Sequence, residues 1–169
     1  MLQWCKIPSG IVLLSNNPNH VGDEAIPVEA FYISKYPITN EQYYAFIEAE
    51  DGYKNPQWWQ FTAQSLKWFQ SHEKQSLAPR FQGDTRPREN VNWYQAIAFC
   101  NWLSHCTKCN ITLPTLAHWQ RAAQGDDERF FPWGNNFQED LCNTRESRLR
   151  KTTKVNSYDD GVSPFGVYD

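Results

Sequence analysis

Apolar side chains recur at the spacing of an amphipathic helix in two stretches, and each stretch follows a helix-capping pair. In the first, Thr39 stands three residues before Gln42, the spacing at which each side chain can bond to the backbone amide of the other. In the second, Asn92 and Gln95 have the same spacing, and the residues that follow form the clearest amphipathic pattern of the chain. Helices are therefore predicted to begin after Thr39 and after Asn92.

The remaining helical patterns are shorter or less regular. A third helix is predicted over 116–124, where an apolar face is followed by Gly125 as the end of the helix. Aromatic residues over 58–69 are compatible with a helical face, inside a segment 53–90 that we interpret as an insert laying aromatic rings on the core. The stretch 79–87 has the composition of a loop.

Short runs of strand-forming residues lie on both sides of these helices. Residues 11–14 are continuously apolar, and residues 28–33 are rich in strand formers, with a turn-rich segment between them that favours a hairpin. A further strand is predicted over 152–156. Together these patterns predict an irregular, loop-rich α+β fold with two to three helices and a small, mainly antiparallel sheet.

Aromatic rings must form much of the core of this chain. They make up 15% of the 169 residues, although the mean hydropathy is only −0.71, so rings with polar edges replace the usual aliphatic stripes. Helical spacing and ring size predict that eight residues are mostly buried: Trp93, Ala96, Phe99, Cys100, Leu103, Trp119, Ala123 and Trp133.

Composition and charge exclude several classes of function. The chain has 16 basic and 19 acidic residues, and a net charge of −3 excludes a strongly basic nucleic-acid binder. No apolar run approaches the roughly 20 residues of a membrane span, and the first 15 residues lack the pattern of a secretory signal. Five cysteines, an odd number, argue against a secreted disulfide framework. We therefore expect a cytoplasmic domain without nucleic-acid or membrane partners.

Seven short motifs span most of the chain from about Ile7 onward. They occupy residues 31–43, 86–96, 99–103, 113–115 (Leu-Pro-Thr), 132–134 (Pro-Trp-Gly), 143–144 (Asn-Thr) and 165–169 (Phe-Gly-Val-Tyr-Asp). In this order and spacing they resemble the motifs of the formylglycine-generating enzyme (sulfatase-modifying factor) family. The resemblance implies a C-type-lectin-like fold of the sulfatase-modifying-factor type, in a single domain over 1–169.

The same resemblance implies that functional residues of the family are missing from this chain. In the family, the pattern after Phe-Gly-Val-Tyr-Asp continues into Gly-Asn-Val-Trp-Glu-Trp and a late cysteine pair that binds copper(I) in the oxidases. The present sequence stops at Asp169, so we expect a domain truncated at its C-terminal side, without catalytic or cofactor-binding residues. Copper is expected only for a complete family oxidase. Cys100 matches a family position whose partner is a late cysteine, which this chain lacks.

Few other residues suggest a chemical role. Cys106 and Cys109 form a Cys-x-x-Cys pair, and a structural, redox or metal-binding role stays open for it. The four histidines lack the spacing of a nonheme iron site. The resemblance places Asn143 at a calcium-binding position, which makes Asn143 the candidate calcium ligand. Five basic residues over 145–154 could meet an acidic partner or a carboxylate, although a solvated loop is the simpler interpretation.

Two functions are compatible with these observations. The first is a noncatalytic or incomplete family member that acts as an interaction or ligand-binding module, with a protein or a small ligand as its partner. The alternative is the N-terminal part of a copper-dependent oxidase that converts a sulfatase cysteine to formylglycine. Missing closing strands would expose sheet edges and aromatic surface, so the isolated chain is expected to be marginally stable and to self-associate.

Overall fold

In the computed structural model, the chain divides into two compact units, which we treat separately. The central unit comprises residues 38–113, and the discontinuous unit comprises 1–37 together with 114–169. The structure describes residues 2–14, 24–72, 77–127 and 129–168. In this part of the chain it has four α-helices and two antiparallel strand pairs, which confirms a loop-rich α+β fold. None of these helices is long and apolar enough to cross a membrane.

Three helices form the central unit. They are α1 (Asn40–Glu48), α2 (Ala63–Ser71) and α3 (Trp93–Thr107), with a short 3₁₀ helix at Pro56–Trp59. Both predicted capping boxes are confirmed, because the side chain of the capping residue accepts from the third amide of the helix and the side chain of that third residue accepts in return. Helix α2 carries a third box, which brings the number of helices to four rather than two to three.

The core of the central unit is almost entirely aromatic. Its buried members are Tyr43, Phe46, Tyr53, Trp58, Trp59, Phe69, Ala98, Phe99, Cys100 and Trp102. The indole nitrogens of Trp58 and Trp59 donate to backbone carbonyls of Asp51 and Tyr53, at 2.5 and 3.0 Å. These two indole N–H groups are thereby satisfied inside the core, which is how rings with polar edges can fill the core of a chain of low mean hydropathy.

The discontinuous unit contains the strands and the fourth helix. The strands are β1 (Trp4–Ile7), β2 (Gly10–Leu14), β3 (Glu24–Val28) and β4 (Phe31–Ser34), and the helix is α4 (Leu116–Gln124). The predicted hairpin is only partly correct: β2 pairs antiparallel with β3, whose residues 24–27 belong to the segment predicted as a turn, whereas β4 pairs antiparallel with β1. Helix α4 packs on β2 and β3, where Val12 and Val28 are buried against Ala117.

Two strand predictions need correction. The run 28–33 is not one strand, because it is interrupted at residues 29 and 30 and its two parts pair with different partners. Residues 152–156 form no strand and instead belong to a loop with a turn at its end. The turn-rich segment between β2 and β3 includes residues 15–23, which lie outside the described residues.

The predicted core is only partly correct. Phe99 and Cys100 are buried, whereas Ala96, Leu103, Ala123 and Trp133 are half-buried. Trp93 and Trp119 are exposed by 56% and 58%, so both predictions of burial were wrong. In α3 the buried face runs through Gln95 and Phe99, which leaves Trp93 at the surface. In α4, Arg121 takes the inward position. Trp119 stands two positions earlier, about 160° away around the helix, and therefore faces outward.

Candidate anion-binding site

A cavity of about 640 Å³ lies in the last part of the discontinuous unit. Its wall is formed by Asn143, Thr144, Arg145, Arg148, Arg150 and Lys151. Four of these six residues carry a positive charge, and none of the lining residues that the structure describes is acidic. Cavities of several hundred Å³ accommodate small organic molecules, and converging cations favour an anionic one.

Residues 143–153 form the loop that lines the cavity, and hydrogen bonds within this loop close it. The Asn143 amide Nδ2 donates to the Lys151 carbonyl at 2.9 Å and to the Thr153 hydroxyl at 3.4 Å. Inside the loop, the Arg148 amide donates to the Arg145 carbonyl at 3.2 Å, which forms a turn. We call these two hydrogen bonds of Asn143 the clasp, because they join residue 143 to residues 151 and 153. The basic residues between these positions line the same cavity.

Two of the cavity arginines have an unusual backbone conformation. Arg148 and Arg150 have φ values of +54° and +53°, in the left-handed region that residues other than glycine and asparagine rarely adopt. Thr144 adds a hydroxyl oxygen that is buried and has no hydrogen-bond partner within the described residues. Strained backbone and unsatisfied polar groups concentrate at functional sites, where a ligand can compensate for them. The sequence identified the basic run but gave no sign of these two features.

The calcium prediction at Asn143 stays a prediction. Its Nδ2 atom is engaged in the clasp, and its nearest charged neighbours along the cavity wall are cations, which disfavour a divalent metal ion. Within the described residues, no three side chains of His, Cys, Asp or Glu converge at a distance that could hold a metal ion.

The thiols of the central unit lie in two different surroundings. Cys106 and Cys109 are exposed at the C-terminal end of α3, and Cys100 is buried in the core. Burial raises the pKa of the Cys100 thiol to about 11, and burial together with the charge of Asp51 raises the pKa of Cys106. Cys106 and Cys109 are therefore the two thiols of this unit that solvent reaches, and the role of the pair stays open.

Comparison with known proteins gives a consistent family. The family model described as "Sulfatase-modifying factor enzyme 1-like domain" matches residues 3–169. The chain is 26% identical over 173 residues to hercynine oxygenase of Mycolicibacterium smegmatis, covering 90% of this chain and 37% of that protein. It is 22% identical over 211 residues to formylglycine-generating enzyme of Bos taurus, covering 96% of this chain and 54% of that protein.

A third relative is named as a protein kinase. The serine/threonine-protein kinase pkn1 of Chlamydia caviae is 25% identical over 144 residues, covering 84% of this chain and 21% of that protein. The chain thus spans between 21% and 54% of the length of these three curated relatives. The matched region is therefore shared by proteins whose names describe different activities.

Proposed function

Because the chain belongs to the sulfatase-modifying factor enzyme 1-like family, we propose that it is a noncatalytic or incomplete member that binds an anionic ligand. The observation that carries the proposal is the cavity wall, in which three arginines and one lysine face a common space. A family scaffold whose named relatives have different activities supports a role in binding as readily as one in catalysis.

The cavity favours a ligand with more than one carboxylate or phosphate group. The planar guanidinium of arginine matches the two oxygens of a carboxylate or phosphate, and charge-assisted hydrogen bonds of this kind are stronger than neutral ones. The four positive charges around the cavity of about 640 Å³ exceed the negative charge of a single carboxylate, so a polycarboxylate balances them better. All four cations are exposed, so we expect the affinity to fall with ionic strength.

Citrate is a suitable probe, and its binding can be measured by isothermal titration calorimetry at low salt. We expect each of the variants Arg148→Gln and Arg150→Gln to bind citrate about tenfold more weakly, the effect of losing one charge-assisted hydrogen bond. Lys154→Gln is the matched control, because Lys154 belongs to the same basic run, is exposed and does not line the cavity. Equal losses in all three variants would show non-specific attraction, and no binding by the unmodified chain would contradict the proposal.

The names of two relatives favour a second candidate function. One relative is named hercynine oxygenase and another formylglycine-generating enzyme. The alternative proposal is that the chain is the N-terminal part of a copper-dependent oxidase that converts a sulfatase cysteine to formylglycine. For either function, the proposal includes a C-type-lectin-like arrangement and a cytoplasmic location. In this proposal the copper(I) ligands would be the late cysteine pair of the family pattern.

The coding DNA distinguishes the two proposals. An in-frame continuation after the codon of Asp169, with Gly-Asn-Val-Trp-Glu-Trp and a cysteine pair, would favour the oxidase. The longer product should then bind copper(I) and oxidise a cysteine-containing sulfatase peptide, measured by the mass of the peptide. A stop codon at that position would favour the binding module.

A further inference from the structure

The guanidinium of Arg88 is held inside the central unit by aromatic rings and backbone. Its Cζ atom lies 4.6 Å from the ring centroid of Tyr43 and 5.4 Å from that of Tyr44. Its backbone amide donates to the Ile38 carbonyl at 2.7 Å, and its Nη2 donates to the Leu77 carbonyl. These contacts fix the side chain beside α1, with the two rings packed against the charged group.

Several hydrogen-bond donors around this guanidinium have no partner. The Nε and Nη1 atoms of Arg88 and the hydroxyl of Tyr43 are all buried and unpaired within the described residues. Tyr43 is only 2% exposed. Burial raises the pKa of Tyr43 well above its ordinary value, so the phenol stays a neutral donor at physiological pH. The guanidinium thus places a positive charge beside the Tyr43 ring, with two of its nitrogen atoms buried.

The described residues supply no carboxylate for this charge. The ion pairs among them involve Arg121 and Arg129, which belong to the discontinuous unit. Glu89, next to Arg88 in the sequence, instead accepts a hydrogen bond from the Phe81 amide at 2.8 Å. Each unpaired buried donor costs free energy, and an anion at this place would accept from these donors and balance the charge of the half-buried Arg88.

We propose that a small monovalent anion of the size of chloride binds at Arg88 and Tyr43 and serves as a structural counterion. Among the described residues of the central unit, four buried side-chain atoms are unpaired; three of them are donors, and the exception is Oδ1 of Asn40. A water molecule could accept from these donors, but it would leave the charge of Arg88 uncompensated. One negative charge balances one guanidinium, which favours a monovalent ion over phosphate. This site is separate from the basic cavity of the discontinuous unit.

Thermal unfolding in different sodium salts tests the proposal. At constant ionic strength, replacing gluconate by chloride or bromide should raise the Tm of the unmodified chain along a saturating curve, as expected for a ligand that binds only the folded state. Arg88→Met should abolish this halide dependence, and Tyr43→Phe should weaken it. Arg80→Met is the matched control and should keep it, because Arg80 is an exposed arginine of the same loop that also lies over a ring, Phe81.

Two results of the unfolding experiment would overturn the proposal. Equal Tm values in halide and gluconate would show that water occupies the site, and a halide effect retained in Arg88→Met would place the ion elsewhere. If Arg88→Met does not fold, crystals of the unmodified chain grown with bromide decide the matter by anomalous scattering. A bromide peak within about 3.5 Å of Arg88 Nε and Tyr43 Oη would support the site, and its absence there would refute it.

Discussion

Replacing Phe99 by alanine is expected to lower the free energy of unfolding of the central unit by about 3–5 kcal/mol, the usual effect of deleting a buried ring. Phe99 is 5% exposed, and its ring stacks on that of Tyr43 at a centroid distance of 5.4 Å. It also contacts the rings of Phe46 and Trp102 at 5.8 and 6.1 Å. Rings of this size cannot close the resulting cavity by small shifts, so most of the lost contact stays lost. Urea denaturation followed by tryptophan fluorescence measures the change.

Trp93→Ala is the control for this prediction. Trp93 lies on the same helix and is the larger residue, but it is 56% exposed and contacts Phe61 and Tyr94 only at the surface. We expect a loss of about 1 kcal/mol, in the range of a surface aromatic pair. Equal losses for Trp93 and Phe99 would contradict the orientation of α3 in the structure.

Local features of this fold could be predicted from the sequence because their causes lie within a few residues. The capping pairs at Thr39 and Asn92 need only their own third neighbours, and both helices begin where those pairs predict. The helix after Thr62 was less apparent, because its capping box has Ser65 where glutamate or glutamine is usual. The end of α4 at Gly125 was also predictable, and that glycine has a φ of +76°.

Features that depend on distant residues could not be predicted in the same way. The face of α4 was assigned from ring size, but the inward position belongs to Arg121, whose partners include residues more than 100 positions earlier in the chain. The basic run over 145–154 was visible as charge, whereas its closure into a cavity depends on the clasp at Asn143 and on left-handed arginines. Left-handed φ values are predictable at glycine but not at arginine. The unpaired donors of Arg88 likewise became apparent only from its packing.

Replacing Arg121 by methionine is expected to destabilise the discontinuous unit by about 3–5 kcal/mol, because several backbone carbonyls that accept from its guanidinium lose their donor, at about 1–3 kcal/mol each. Arg121 is 1% exposed. Its Nε donates to the Pro8 carbonyl at 3.3 Å, and its Nη2 donates to the Ser9 carbonyl at 3.2 Å and to Asp126 at 2.6 Å. The Phe165 ring lies 5.1 Å from its Cζ. One side chain thus connects the β1–β2 turn, the segment after α4 and the C-terminal loop.

The chemistry of the guanidinium, rather than charge alone, should decide the result. Arg121→Lys should recover little stability, since one ammonium cannot reach carbonyls and a carboxylate on different sides. Gly10→Ala should also be destabilising, because a Cβ at Gly10 would lie 2.5 Å from the Arg121 Cζ. Asp126→Asn is the matched control: the Asp126 side chain is 79% exposed, so its ion pair should contribute about 0–1 kcal/mol.

Amide hydrogen exchange of β2 and α4 distinguishes these expectations. Loss of Arg121 should speed exchange in both elements, because the side chain extends from α4 to the turn that precedes β2. Exchange in α1 and α3 provides the internal reference, since these helices belong to the central unit. If Asp126→Asn were as destabilising as Arg121→Met, the ion pair would dominate. The carbonyl contacts of Arg121 would then contribute little, contrary to the role that burial and geometry assign to it.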